Sequence, residues 1–486
     1  MQYITKINKI IDKSGPLIIA GAFIALGLVS LASANIAPLI IGFLCLGLSV
    51  AIVWIIKRRN SSLTAVDPRF VLIVCCFNII IVCLIYGYYI NLYGVPYGYD
   101  GMDDDFYFDQ LANNVFHEED KISLKSTINE VLITSIKNRP ANRADNYALV
   151  ISWLYRGFSL LGFSPHTIDP RIINSFFLSI IALMVAIIAQ LCGANREISR
   201  FSGYLCGTYP VMVVNAAHIY RDIIISFGII GIVAVLVYYA YSLEGQPSQL
   251  SWPKRIFLLL SIGFCIGLLN FFRNIYAAVA IIVVLISMAI LKPSWRIIWL
   301  IFIGAVILTL VLSSKSINIS NLVSEDNISA WSYYQNRQIE TESNINSFIF
   351  GLPYGLSLIF RIMVRNITPL PFSGTLITEN YLRLGTVFWF FLLPFLAKAL
   401  LFSASFRKSA LCRRIQIVSI TFAAFFLLNA MTTFQDRHIV TYIPLGCVLV
   451  STGIGLDPRR LSKNILLMIL IGVGTSALYG IIKFLW

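Results

Sequence analysis

Uncharged apolar segments recur along this chain and are separated by shorter polar ones. A helix needs about 20 consecutive apolar residues to cross the hydrocarbon of a bilayer. The stretch between Lys13 and Lys57 runs for about twice that length without a charge. We expect it to form a hairpin of two helices that breaks at the sequence Ala-Asn-Ile-Ala-Pro, residues 34–38. The pattern predicts an all-α polytopic membrane protein.

The same reading along the whole chain predicts about thirteen transmembrane helices. Hydrophobic residues make up 58% of the 486 positions, which is more than a soluble core can use. The predicted spans lie near residues 17–33, 36–56, 71–92, 172–192, 201–217, 222–242, 256–272, 274–291, 297–313, 384–403, 415–433, 439–456 and 464–484.

The spans divide the chain into four predicted segments. Residues 1–70 form a transmembrane hairpin and a cytoplasmic loop, and residues 71–313 form a core that contains a long outer loop over 93–171. A second long outer loop covers 314–383, and the C-terminal helices follow over 384–486. Each long loop contains an apolar, aromatic stretch, "NYALVISWLYRGFSLLGFSP" in the first and "SFIFGLPYGLSLIFRIMVRNITPLPF" in the second. We expect both stretches to be interfacial helices lying along the membrane surface.

The distribution of charge sets the predicted orientation. Short cytoplasmic loops of membrane proteins collect Lys and Arg. With a cytoplasmic N-terminus, the inner segments hold 21 of the 37 basic residues but 5 of the 23 acidic ones. Topology therefore accounts for the net charge of +14 without a nucleic acid partner. We expect a multi-pass protein of a bacterial inner membrane, with membrane lipids around it and its functional site on the periplasmic side.

An acidic cluster stands in the first outer loop, in "YGYDGMDDDFYFDQLANNVF", residues 97–116. Three consecutive aspartates at 103–105 are flanked by Asp100 and Asp109. Adjacent carboxylates repel one another, and such clusters are tolerated where a cation, a substrate or a raised pKa makes use of them. The alternative interpretation is a solvated cluster without a function.

The segment "DDFYFDQLA" within this cluster resembles a motif of the GT-C superfamily of membrane glycosyltransferases. Protein O-mannosyltransferases and the bacterial lipid A aminoarabinose transferase carry the pattern D-E-x-x-Y-x-x-x-A in their first large outer loop. Asp104 and Asp105 match the acidic pair, Phe108 the aromatic position and Ala112 the small one. The second acid is Asp instead of Glu, Phe replaces Tyr, and an alternative register would use Asp103 and Asp104.

Later segments extend the resemblance over about residues 95–450. The segments "YPVMVVNAAHIYRDIIISFG", "LLNFFRNIYA" and "QDRHIVTYIPLG" are similar to outer turns of the same superfamily, and each carries an arginine. The individual motifs are short. Their order along the chain and their common position on the outer side support the resemblance.

The resemblance implies a reaction and roles for the two aspartates. Such enzymes transfer a sugar from a polyprenyl-phosphate-linked donor to an acceptor, here a lipid-linked or envelope glycan, with inversion. Asp104 would be the general base that takes the proton of the acceptor. Asp105 would orient the acceptor or share a divalent cation with Asp104, and Mg²⁺ or Mn²⁺ would suit a site made of oxygen ligands.

Cations near the membrane surface would stabilise the lipid phosphate as it leaves. Arginine is suited to this because its planar guanidinium binds phosphate with two hydrogen bonds. The outer basic candidates for this role are Arg221, Arg273, Arg361, Arg365, Arg437 and His438. Arg361 and Arg365 are four residues apart and would share one face of a helix. The alternative for each arginine is a helix-end side chain that extends to the lipid headgroups.

Two further functions are compatible with the sequence. A polymerase or ligase of oligosaccharide repeat units would also act on polyprenyl-linked sugars, but it would depend on the arginines of the second outer loop and not on the aspartate pair. A non-enzymatic flippase for lipid-linked sugars would place ionisable groups at mid-membrane depth. The predicted spans contain almost none.

Overall fold

A computed structural model describes residues 2–98, 104–118, 144–245, 252–291, 352–353, 355–360, 377–405, 409–432 and 436–456. Throughout these residues the regular structure is helical. The helices are α1 (Gln2–Ala32), α2 (Ala37–Arg59), α3 (Pro68–Tyr93), α4 (Asp104–Glu118), α5 (Ala144–Leu160), α6 (Asp169–Leu191), α7 (Arg196–Gly207), α8 (Pro210–Ala216), α9 (Asp222–Gly245), α10 (Trp252–Phe272), α11 (Asn274–Leu291), α12 (Ile377–Ala404), α13 (Ala410–Thr432), a 3-10 helix (Asp436–Thr441) and α14 (Ile443–Leu456).

Eight of the described helices are long and apolar enough to cross a membrane: α1, α2, α3, α6, α9, α10, α11 and α13. Shorter apolar helical segments lie at Leu392–Ala404 and Ile443–Leu456. The prediction of an all-α, multi-pass membrane protein is confirmed. The spans expected near 297–313 and 464–484 lie outside the described residues, and the division into four segments stays a prediction.

The N-terminal hairpin breaks where the sequence predicts. Ala34 adopts a left-handed backbone conformation with φ of 49°. The side chain of Asn35 then accepts a hydrogen bond from the N–H of Ala37 (2.9 Å), at the start of α2. The amide of Asn35 also donates to the carbonyl of Ser164 (2.7 Å), so the hairpin loop lies beside the loop between α5 and α6.

The region predicted as a single span over 201–217 consists instead of two short helices, α7 and α8. Pro210 begins α8, and Tyr209 before it is extended. A proline has no N–H for the helical ladder and disfavours a helical conformation in the residue before it. Helix α7 packs closely on α3 and α6, and Gly203 leaves the space for this contact. A Cβ at this position would lie 2.4 Å from the ring of Phe70 and 2.8 Å from the carbonyl oxygen of Ala182.

One end of the bundle brings together residues that the charge pattern assigns to the cytoplasmic side. Arg200 of α7 forms a 2.6 Å ion pair with Asp12 of α1. The amide of Asn8 donates to the side chain of Glu197 (3.0 Å), and the guanidinium of Arg414 donates to the carbonyl of Leu191. The C-terminal end of α3 and the starts of α4, α6, α9 and α11 meet at the other end, which holds the candidate site.

Candidate functional site

Helix α4 carries the aspartate motif and packs through one face. Phe108, Ala112 and Phe116 are spaced four residues apart and are all buried, which is the periodicity of a helix with one apolar face. Phe108 contacts Tyr147 of α5 edge-on, with ring centroids 5.3 Å apart. Asp104 is the first residue of α4, where the helix dipole stabilises a carboxylate.

Asp105 is completely buried and paired. Its Oδ2 lies 2.9 Å from Nη2 of Arg171, which is also completely buried. Its Oδ1 accepts a hydrogen bond from the N–H of Ile219 (2.5 Å). Nη2 of Arg171 also donates to the carbonyl of Pro96 (2.6 Å). A single carboxylate thus joins the start of α4 to the start of α6 and to the turn before α9.

Asp109, one turn further along α4, is a second buried carboxylate. It accepts hydrogen bonds from the hydroxyls of Tyr97 (2.5 Å) and Tyr155, and from the amide of Asn113 (3.2 Å). Burial and the neighbouring Asp109 carboxylate raise the pKa of both tyrosines, which therefore stay protonated as donors. This network fixes α4 against α5 and against the segment that follows α3.

Asp104 differs from its two buried neighbours because it is partly exposed. Asp105 beside it has both carboxylate oxygens in hydrogen bonds within the protein. Two adjacent aspartates therefore have different environments, one completely buried in an ion pair and the other partly exposed. Of the pair, Asp104 is the residue with surface at the end of the bundle.

Arg221 lies alongside α4. Its guanidinium stands 5.8 Å from the centre of the Phe108 ring, and its Nη1 is 3.5 Å from the carbonyl oxygen of Phe272. The backbone of Ile219, two residues earlier, is bound by Asp105. Arg221 is partly exposed, so its position beside the aspartate motif leaves it accessible to an anionic ligand.

The turn that precedes Arg221 is held by several polar contacts. His218 is buried; its Nδ1 lies 2.7 Å from the carbonyl oxygen of Val214 and its Nε2 lies 3.3 Å from the hydroxyl of Tyr89. The amide of Asn174 in α6 donates to the carbonyls of His218 (2.9 Å) and Tyr220 (3.2 Å). These contacts fix the backbone that positions Arg221.

A second cluster joins the starts of α9 and α11 to the 3-10 helix. Nδ1 of His438 lies 3.4 Å from Oδ1 of Asp222 and 3.3 Å from Nη1 of Arg273. Nη2 of Arg273 lies 3.9 Å from the same Asp222 oxygen. The side chain of Arg273 is 20% exposed, whereas those of Asp222 and His438 are almost completely buried. Asp222 and His438 therefore hold an arginine that is partly accessible.

The structure thus brings five of the predicted site residues to one end of the bundle. Asp104, Asp105 and Arg221 lie around the start of α4, and Arg273 and His438 lie in the second cluster. Phe272 connects the two groups, because its carbonyl contacts Arg221 and Arg273 follows it in the chain. The candidates Arg361 and Arg365, and the side chain of Arg437, lie outside the described residues.

Arg171 was not singled out from the sequence, and Asp109 was named only as a flank of the acidic cluster. Arg171 stands at the start of α6, directly after a long outer loop. A charged residue at the start of an apolar span is a feature by which it could have been identified as a candidate. Its partner Asp105 is 66 residues away. Local pattern does not show a pairing over that separation.

The fit of a divalent cation can be judged from the oxygen ligands. In the part of the chain that the structure describes, no group of three or more His, Cys, Asp or Glu side chains is placed to hold a metal ion. Both oxygens of Asp105 are used by Arg171 and Ile219, and the adjacent guanidinium would repel a cation. Asp105 therefore does not fit the role of sharing Mg²⁺ or Mn²⁺ with Asp104.

No protein-family model matches this chain, and no curated protein matches it. Solved structures similar to it include ArnT from Cupriavidus metallidurans in the apo state, with 16% identity, a TM-score of 0.43, and coverage of 76% of this chain and 58% of that one. The archaeal oligosaccharyltransferase AglB from Archaeoglobus fulgidus, in complex with an inhibitory peptide and a dolichol-phosphate, has 12% identity, a TM-score of 0.41, and coverage of 68% and 46%. The Archaeoglobus fulgidus oligosaccharyltransferase in the apo form has 11% identity, a TM-score of 0.44, and coverage of 82% and 54%.

The chain spans about half the length of these solved structures. The resemblance to the GT-C superfamily rests on the sequence motifs around Asp104 and not on these likenesses.

Proposed function

We propose that this protein is a membrane glycosyltransferase that moves a sugar from a polyprenyl-phosphate-linked donor to a lipid-linked or envelope glycan acceptor. The reaction takes place with inversion at the periplasmic face of a bacterial inner membrane. The observation that carries the proposal is the different environment of two adjacent aspartates. Asp104 is partly exposed at the start of α4, while Asp105 is buried against Arg171.

Asp104 acts as the general base. The acceptor oxygen attacks the anomeric carbon of the donor, and the proton of the acceptor hydroxyl passes to the Asp104 carboxylate. The bond between the anomeric carbon and the phosphate oxygen breaks, and its electron pair leaves with the polyprenyl phosphate. The buried contacts of Asp105 and Asp109 fix α4, so that Asp104 keeps its position relative to the bound acceptor.

Arg221 and Arg273 stabilise the phosphate as its negative charge grows. Both are partly exposed, and both lie at the end of the bundle that holds Asp104. A guanidinium can donate two hydrogen bonds to one phosphate, and a preorganised cation lowers the energy of the developing charge. Asp222 and His438 hold Arg273 in place. For Arg361, Arg365 and Arg437, the role in lipid-phosphate binding stays a prediction.

A divalent cation would act beside the side chains to which the steps are assigned here. Mg²⁺ or Mn²⁺ bound near Asp104 would add positive charge for the leaving phosphate. Asp105 does not supply a ligand for it, because its oxygens are engaged. The proton transfer and the phosphate contacts are assigned to Asp104, Arg221 and Arg273.

The polymerase or ligase alternative does not require Asp104, because it would depend on the arginines of the second outer loop. The flippase alternative is less favoured, because in the candidate spans α2, α3, α6, α9, α10, α11 and α13 the charged residues lie near a helix end. Positions at mid-membrane depth in those helices therefore lack the ionisable groups that a polar path needs.

The experiment compares envelope glycans and lipid-linked sugars in cells that lack the protein and receive either the native chain, Asp104→Asn or Asn114→Ala. Asn114 is an exposed residue of the same helix and provides the matched control. We expect the native chain and the control to restore one specific sugar, and Asp104→Asn to leave the sugar on its polyprenyl carrier at normal protein levels. If Asp104→Asn restored the length of the polymer as well as the native chain does, the polymerase would be favoured.

A further inference from the structure

A layer of buried polar side chains lies behind Arg273 and the residues that contact it. Tyr276 of α11, Asn429 of α13 and Thr441 of the 3-10 helix are 2%, 1% and 1% exposed. They come from three different helices. Buried polar groups are costly unless they are hydrogen-bonded, so the hydrogen bonds of these three side chains restrict how the surrounding helices pack.

Asn429 forms hydrogen bonds in three directions. Its Oδ1 accepts a hydrogen bond from the hydroxyl of Tyr276 (3.0 Å). Its Nδ2 donates to Oγ1 of Thr441 (2.7 Å) and to the carbonyl of Phe425 (2.8 Å). A backbone carbonyl can only accept, so the amide nitrogen must face Phe425 and the orientation of the amide is fixed. The side chain therefore joins α11 to the 3-10 helix in one defined arrangement.

The orientation of Asn429 sets the direction of the next hydrogen bond. Oγ1 of Thr441 accepts from the amide, which leaves the one proton of the hydroxyl available for donation. The hydroxyl donates to the carbonyl of His438 (2.8 Å), three residues earlier in the 3-10 helix. If the amide were rotated, its oxygen would face the carbonyl of Phe425 and would compete for the proton of Thr441. The amide thus fixes the backbone at His438.

Both ends of this chain of hydrogen bonds contact Arg273. The guanidinium carbon of Arg273 stands 5.6 Å from the centre of the Tyr276 ring, a distance at which an aromatic face attracts a cation. At the other end, Nδ1 of His438 lies 3.3 Å from Nη1 of Arg273. Together with Asn429 and Thr441, these residues form a closed ring of contacts. The side chain of Arg273 is 20% exposed, whereas the other four members are buried.

We propose that Tyr276, Asn429 and Thr441 are positioning residues that hold Arg273 in the orientation in which it binds the lipid phosphate. They are buried and act through Arg273, so the inference rests on the phosphate role proposed for that arginine. A free arginine side chain has many rotamers, and their restriction costs free energy when a ligand binds. The ring of contacts restricts them before the donor arrives. A displacement of about 1 Å in such a group can lower a rate about 100-fold.

The test measures sugar transfer and the binding of undecaprenyl phosphate separately, on the full chain. Thr441→Val removes one hydroxyl with little change of side-chain shape, and Tyr276→Phe removes another and keeps the ring beside Arg273. We expect each variant to lower kcat about 10-fold, less than the loss of the arginine itself. Each should also weaken the binding of undecaprenyl phosphate about fivefold, the effect of about one hydrogen bond. Thr441→Ser keeps the hydroxyl and should restore most of the native kcat.

Two further variants separate positioning from a general loss of packing. Thr421→Val is the matched control, because Thr421 is a buried threonine of α13 whose hydroxyl donates to the carbonyl of Ile417 (2.7 Å) in its own helix. We expect it to bind and turn over as the native chain does. The double variant of Thr441→Val with Arg273→Gln should lose no more activity than Arg273→Gln alone, because the hydroxyl acts through the arginine.

The outcomes distinguish this proposal from the proposed function. If Arg273→Gln lost activity while Thr441→Val and Tyr276→Phe kept native values, the positioning role would be overturned and the transferase would stand. Losses equal to that of Thr421→Val, or a further loss in the double variant, would also overturn it. A native chain that binds undecaprenyl phosphate but transfers no sugar would contradict the proposed function. Weaker binding by Thr441→Val than by Thr421→Val would then still support the positioning role.

Discussion

Asp105 and Arg171 form an ion pair in which neither side chain is exposed, with Oδ2 and Nη2 2.9 Å apart. The pair joins the first turn of α4 to the first turn of α6. Removal of one partner from a buried pair leaves an uncompensated charge, whereas removal of both does not. We therefore expect the pair to stabilise the folded protein and to fix the position of Asp104, which precedes Asp105 in the chain.

Replacement of one member of this pair should destabilise the protein strongly. We expect Arg171→Met to lower the free energy of unfolding by about 3–5 kcal/mol. The double variant Asp105→Leu with Arg171→Met should recover most of that loss, because no charge is left buried. The measurement is unfolding in detergent, with Asn114→Ala as the control. Native stability of Arg171→Met would show that the pair does not hold the two helices together.

The hydrogen bond from Tyr97 to Asp109 should contribute to both stability and activity. We expect Tyr97→Phe to lower the free energy of unfolding by about 1.5–3 kcal/mol, the range for hydrogen bonds to charged groups. The turnover number should fall while the variant keeps some activity, because the base itself remains. Tyr107→Phe, on the exposed side of α4, is the matched control. If both variants behave alike, the bond to Asp109 has no positioning role.

Arg273 should act through the phosphate of the donor. We expect Arg273→Gln to lower kcat/KM about 100-fold, since loss of one preorganised donor to a developing negative charge has an effect of this order. Arg273→Lys should recover part of the loss, because it keeps the charge without the planar fork. Arg59→Gln, exposed at the opposite end of the bundle, should leave the rate unchanged. A rate for Arg273→Gln equal to that of the control would exclude the phosphate role.

His166 should make stability depend on pH. Burial, followed by the nearby Arg171 guanidinium, lowers the pKa of this histidine from its usual 6.5, against the smaller opposing effect of Asp109. The folded protein therefore favours the neutral ring, while the unfolded chain takes up a proton near pH 6.5. The neutral ring of His166 therefore contributes fully to stability above about pH 6.5. This contribution is lost as the pH falls from about 6.5 through the lowered pKa of the folded state.

The measurement is the unfolding temperature in detergent between about pH 7.5 and pH 5, for the native chain and for His166→Gln. The native protein should lose stability more steeply with acid than the variant. Parallel curves would mean that the ring is protonated equally in both states. The hydroxyl of Tyr86 lies 3.4 Å from Nε2 of His166. The variant Tyr86→Phe tests whether this contact contributes to the pH dependence of stability.

The sequence predicted the features that depend on local hydrophobicity and on turn residues. The hairpin break at Asn35 and Pro38 follows from the polar and helix-breaking residues between two apolar runs. The four-residue spacing of Phe108, Ala112 and Phe116 is compatible with the helix that starts at Asp104, but no helix was predicted there. The break before Pro210 was missed, because apolar residues continue on both sides of it.

The polar pairings at the site could not be predicted in the same way. Asp222, His438 and Arg273 come from three separate parts of the chain, and their contacts depend on how α9, α11 and the 3-10 helix pack. Likewise, the sequence does not show that Asp104 and Asp105 differ in burial. Their difference comes from the packing of α4 against α6, which buries one carboxylate and leaves the other accessible.

The central claim is that Asp104 takes the acceptor proton in a sugar transfer from a polyprenyl phosphate. The most direct measurement uses lipid-linked sugars extracted from cells that lack the protein, incubated with purified native chain or with Asp104→Asn in vesicles together with extracted envelope glycan. Mass spectrometry follows the release of polyprenyl phosphate and the gain of one sugar by the acceptor. We expect the native rate to exceed that of Asp104→Asn by about 100-fold or more. Equal rates for the two proteins would contradict the claim.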